Sequence, residues 1–138
     1  MTRTPLVFTN DSPTTQLGGE DLVPGEEVTR RKILLDDRAF ADFAALTGDS
    51  HPIHYDAEYA HAIGLQAPIA HGLLITAMTA LGATPLSERL QDSMIAMLSI
   101  ESQFQSPVFV GSMITVVIRV ASVEKKTDNR CVAAFDIE

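Results

Sequence analysis

The chain has 138 residues, of which 46% are hydrophobic and 20% charged; this supports one domain with a single core and excludes a disordered chain. Its formal net charge is −8, and its only basic groups of note are Arg30-Arg31-Lys32 and Lys125-Lys126, which excludes nucleic acid and an anionic membrane surface as main partners. Cys131 is the only cysteine, so no internal disulfide forms, and no apolar run reaches transmembrane length; the expectation is a cytoplasmic protein.

Residues 1–18 are rich in Thr, Ser, Pro and Asn and are expected to form a flexible arm, leaving 19–138 as the single domain. EDLVPGEEVTRRKILL carries a Pro-Gly turn and then a strand up to Leu35. Asp36 and Asp37 mark a helix start, Phe40, Phe43, Ala44 and Leu46 recur at helical spacing, and Gly48 is a natural stop, which predicts a helix over Asp37–Thr47. TGDSHPIHYD (residues 47–56) is then a loop, where Pro52 disfavours helix at His51. Asp56 caps a second short helix in AEYAHAIG, ended by Gly64.

GLLITAMTALGA is apolar nearly all round, which predicts a buried central helix over residues 72–83. Beyond it the period changes. MIAMLSIESQF, SMITVVIRVASVE and RCVAAFDIE read as strands, with turns at SPVFVGS and KKTDN, and Met78, Met94, Met97 and Met113 read as core filling. Strand, helices, buried helix and then strands indicate an α+β fold with an antiparallel sheet. Cys131, inside a strand-like run, reads as a buried apolar residue.

The chemistry-bearing residues cluster in TGDSHPIHYD. On a bent loop the Asp49 carboxylate and the His54 imidazole can aim at one point and hold a water for acid–base work; the plainer reading is a turn Asp and a surface His. His51 and His54, with Asp49, His61 and His71, raise a metal reading, and D-x-H-x-x-H has ligand-type spacing, but no Cys and no H-E-x-x-H accompany it, and His61 falls on a different element. Gly72 lies at a helix N-terminus, where a free backbone N–H can meet a developing oxyanion, or it serves only close packing. His71 reads as a packed, satisfied histidine ahead of a catalytic one. No G-x-S-x-G elbow, Walker loop or dinucleotide fingerprint is present.

FAALTGDSHPIHYDAEYA, APIAHGLL and FQSPVFVGSMITVVIRV together resemble the MaoC-like dehydratases, or R-specific enoyl-CoA hydratases, from about Glu20 to the end of the sequence. The resemblance implies a hot-dog fold, an antiparallel sheet wrapped around a central helix, paired into homodimers with the CoA site near the subunit interface. It implies reversible hydration of a trans-2-enoyl-CoA to a 3-hydroxyacyl-CoA, with Asp49 and His54 holding the water and the Gly72 N–H receiving the thioester oxygen. No metal and no cofactor are implied; CoA is part of the acyl-CoA substrate. Lys125, Lys126 and Arg130 are candidates for the CoA phosphates. His51 stands where the family has Asn; neutral imidazole, like an amide, both donates and accepts, so His51 is expected to shape the substrate pocket from the loop. The sequence stops at CVAAFDIE, one strand short of the family pattern. The same fold also carries thioesterases and non-catalytic acyl-CoA-binding proteins, and these are the alternative functions.

Overall fold

The computed structural model describes residues 15–138. Most of the expected arm, residues 1–14, lies outside the described residues. The next residues are tied down: the Gln16 side chain donates to the Glu88 carbonyl and the Leu17 N–H to the Arg89 carbonyl.

Three strands form one antiparallel sheet in the order β1 (Glu27–Leu35), β2 (Ser112–Lys125), β3 (Cys131–Ile137). The central strand is β2, and its consecutive residues Val116, Val117 and Ile118 are all buried, as expected of a strand covered on both faces. Register is set by apolar pairs, Ile33 opposite Ile114 and Val120 opposite Phe135. The β2–β3 turn is closed by the Lys126 N–H on the Arg130 carbonyl; Asp128 and Asn129 supply its left-handed backbone, which their short polar side chains tolerate.

Helix α1 spans Asp37–Thr47, as the spacing predicts. Asp36 caps it by accepting from the Ala39 N–H at 2.9 Å. Gly48, at φ 79°, ends it in the left-handed region, with its N–H on the Ala44 carbonyl. Helix α2 (Ala57–Ala62) is capped by Asp56 in the same way.

The long helix expected over residues 72–83 is divided. Helix α3 covers only Gly72–Ala77, a 3-10 turn follows at Leu81–Ala83, and Pro85 opens α4 (Pro85–Arg89). The reason lies on β1: the Arg31 guanidinium donates to the carbonyls of Met78 and Ala83, and residues 79 and 80 make tight i to i−3 bonds instead of helical ones. One face of α3 is buried through Leu74, whereas Leu73 is exposed.

The run MIAMLSIESQF departs further from expectation. Residues 95–104 form no strand, and Met94, Ile95, Met97, Leu98, Ile100 and Phe104 are exposed. High β propensity expresses fit to a pleated, half-buried surface, and among the described residues no neighbouring strand supplies one. Of the four methionines expected in the core, Met78 packs there, while Met94, Met97 and Met113 face outward. Cys131 is a half-buried free thiol rather than a buried one.

Two apolar clusters hold the fold. One gathers Leu22, Leu86, Leu90 and Val120. The other gathers Leu35, Phe40, Ala70 and Leu74, and so joins β1, α1 and α3 directly beneath the histidine-bearing loop.

Candidate active site

The loop after α1 is built by short-range polar bonds. Thr47 Oγ1 accepts from the Asp49 N–H, Asp49 Oδ1 from the His51 N–H at 3.3 Å, and His51 Nδ1 from the Ile53 N–H at 3.2 Å. Pro52 occupies the first position of the 3-10 turn Pro52–His54, where a missing N–H costs nothing. His51 thus caps the turn that carries His54, the task an Asn side chain performs equally well. Its ring lies edge-on to Tyr59 at 5.7 Å and 6.4 Å from the His54 ring.

A second chain segment closes over this loop. Residues 68–70 run antiparallel to 108–110, through Ala70 N–H on the Val108 carbonyl and Val110 N–H on the Pro68 carbonyl. Ile69 then ties the two together: its N–H donates to the Ile53 carbonyl, and its carbonyl lies 2.7 Å from His54 Nδ1. A carbonyl only accepts, so Nδ1 carries the hydrogen and His54 Nε2 is the bare nitrogen.

This arrangement brings Asp49 and His54 together and adds His71. One carboxylate oxygen and one nitrogen from each ring lie within 4.8 Å of one another. That separation is within the span a single water bridges by hydrogen bonds. Asp49 is exposed, His54 half-buried and His71 only 3% exposed, so the group descends from solvent into the core. The ligand-like group is therefore Asp49, His54 and His71, and His51 stands apart from it, its Nδ1 committed to the turn. The His54 and His71 rings are stacked, with centroids 3.7 Å apart and planes 25° apart. Each ring's lone pair lies in its own plane, so the two nitrogens present theirs in two stacked, nearly parallel planes.

Gly72 opens α3 beside His71, and its N–H has no hydrogen-bond partner among the described residues. A Cβ there would lie 2.8 Å from the Phe104 ring, so glycine permits that close approach. Lys125, Lys126 and Arg130 are paired with Glu20, Glu124 and Asp128 respectively.

Sequence reasoning missed Tyr55 and undervalued His71. The Tyr55 hydroxyl lies 2.7 Å from the Asp49 carbonyl and 2.7 Å from His71 Nε2. His71 is packed, against Phe40 and Phe43, but not satisfied: its buried Nδ1 has no partner among the described residues. Tyr55 lies inside the singled-out loop and His71 was itself weighed, but nothing in the sequence pairs the two across 16 positions.

Burial, and next the neighbouring His54, hold the His71 imidazole below its ordinary pKa; the Asp49 carbonyl and charge oppose this less strongly. Burial and the Asp49 charge raise the Tyr55 phenol. A histidine depressed in the folded state contributes stability that is fully present above its unfolded value of about 6.5 and is lost as the pH falls from there through the folded value, because the unfolded chain takes the proton first. Urea midpoints are expected to decline as the pH falls below the ordinary histidine value, with a shallower decline in His71→Gln.

The fold is that of a hot-dog protein, as solved structures show. The chain is similar to a monoamine oxidase regulatory protein from Archaeoglobus, with a TM-score of 0.80 and 25% identity over 91% of this chain and 84% of that one. It is also similar to the R-hydratase PhaJ1 from Pseudomonas aeruginosa, with a TM-score of 0.68 and 27% identity over 88% of this chain and 75% of that one. The family model described as a MaoC like domain matches residues 20–138, and the chain belongs to that family. Among curated proteins it is 32% identical to the (R)-specific enoyl-CoA hydratase of Aeromonas caviae over 85 residues, which cover 62% of this chain and 61% of the relative. Among the described residues no helix is long and apolar enough to cross a membrane.

Proposed function

We propose that the protein catalyses the reversible hydration of trans-2-enoyl-CoA to 3-hydroxyacyl-CoA through a water held between Asp49 and His54. The observation that carries this reading is the convergence of the Asp49 carboxylate and a His54 ring nitrogen within 4.8 Å, at the solvent end of a site whose floor is buried. The similarity to an (R)-specific enoyl-CoA hydratase supports the substrate class.

The chemistry follows from the tautomer. With Nδ1–H held by Ile69, the bare Nε2 of His54 and the Asp49 carboxylate both accept from the water, leaving an oxygen lone pair for the β-carbon. As the C–O bond forms, the π electrons move to the thioester oxygen, which receives the Gly72 N–H. The proton lost by the water then returns to the α-carbon on the same face, so the elements of one water are added across the double bond. Positioning and a preset donor supply the rate. His51 contributes by holding the turn beneath His54. The exposed apolar run 94–104, which has no strand partner among the described residues, supports a homodimer in which a second copy covers it.

The test is crotonyl-CoA followed at two signals at once. Hydration removes the absorbance of the conjugated double bond and leaves the thiol esterified. A thioesterase releases free thiol with the double bond intact, and that result sinks the proposal.

A further inference from the structure

We propose that Tyr55 and His71 act as a positioning couple, in which one hydroxyl locks the Asp49 loop to the ring that forms the floor under His54. The inference rests on the hydratase reading of the site and assigns roles to two residues outside the Asp49–His54 pair.

The hydrogen positions follow from acceptor chemistry. Tyr55 Oη lies 2.7 Å from the Asp49 carbonyl oxygen, and neither a carbonyl nor that distance allows any donor but the phenol itself. The Phe40 carbonyl, at 3.4 Å, is the weaker alternative. With its hydrogen used on Asp49, Tyr55 can only accept from His71, 2.7 Å away, so His71 carries its hydrogen on Nε2. Its Nδ1 is then a bare lone pair, and this is the buried nitrogen with no partner among the described residues. A protonated Nδ1–H at that position would be a buried orphan donor, which is the costlier arrangement beside a like ring.

Two consequences bear on the site. First, a single hydroxyl joins the Asp49 backbone to the His71 ring. Second, the His54 ring lies flat on His71 at 3.7 Å, so its Nε2 direction is set by the couple and by Ile69. The titratable groups facing His71 are His54 on the adjoining turn, Tyr55 and Asp49; its other ring neighbours, Phe40 and Phe43, carry no charge. Among the described residues no hydrogen-bond partner meets its bare Nδ1, and the ring serves as the floor under His54.

The experiment combines kinetics with nitrogen NMR of histidine-labelled protein. In the wild type, His71 is expected as the Nε2–H tautomer with an unprotonated Nδ1. Tyr55→Phe keeps the ring and its packing, and is expected to lower kcat for crotonyl-CoA about tenfold, the scale of one well-placed hydrogen bond, with KM changed less than about twofold. The acid limb of its pH–rate profile is expected to shift. His71→Gln retains an N–H donor but not the stacking ring; its effect and that of Tyr55→Phe are expected to be non-additive in the double variant. Unchanged kcat and pH profile in Tyr55→Phe, full additivity, or an Nδ1–H tautomer of His71 overturns the couple. Wild-type protein inert toward enoyl-CoA overturns the hydratase reading instead, and the tautomer measurement still decides whether the couple exists.

Discussion

Asp49→Asn is expected to reduce the hydration of crotonyl-CoA by about a thousandfold or more, with an unchanged thermal transition. The variant separates chemistry from structure. Asn retains the side-chain oxygen that accepts from the His51 N–H, and the Tyr55 hydroxyl bonds the backbone carbonyl, which the substitution does not touch. The side chain is exposed, so no buried group loses its partner. What is lost is a carboxylate that accepts from water; an amide NH2 in its place donates toward the same point. Turnover of crotonyl-CoA beside a circular-dichroism melt checks both halves of the statement. Near-normal turnover in the folded variant contradicts the assignment of Asp49.

Phe40→Ala is expected to cost about 3–5 kcal/mol, a large share of the roughly 5–15 kcal/mol by which a domain of this size is stable. Phe40 is 1% exposed and packs with Leu35, Ala70 and Leu74, where β1, α1 and the start of α3 meet. Truncation leaves a cavity bounded by three separate elements, none of which can move in to fill it without giving up its own hydrogen bonds. The same ring lies edge-on to His71 at 6.0 Å, so the floor of the site loosens with the core. Urea unfolding measures the loss. A change below about 1 kcal/mol would mean that the cluster repacks freely, against the close packing usual of a protein core.

How much of this was legible in the sequence depends on the range of the interactions concerned. The limits of α1 were readable because both are set locally, by the Asp36 carboxylate on Ala39 and by Gly48 in the left-handed region. The β2–β3 turn was readable for the same reason, from Asp128 and Asn129. The division of residues 72–83 was not, because Arg31 reaches Met78 from 47 positions away and no periodicity encodes that bond. The run at 95–104 reads as a strand in every local respect, but a strand is completed only by its neighbours. In the site, the pairing of Asp49 with His54 lies within one loop and was anticipated as one of two readings. The contribution of Tyr55 and His71 spans 16 positions and depends on how residues 68–70 dock against 108–110.

The most direct measurement is the reaction of crotonyl-CoA in heavy-oxygen water, with mass spectrometry of the product. A water held by Asp49 and His54 places the label on the β-carbon, giving labelled 3-hydroxybutyryl-CoA with its thioester intact. Label in a free carboxylate, or no label in any product, contradicts the account.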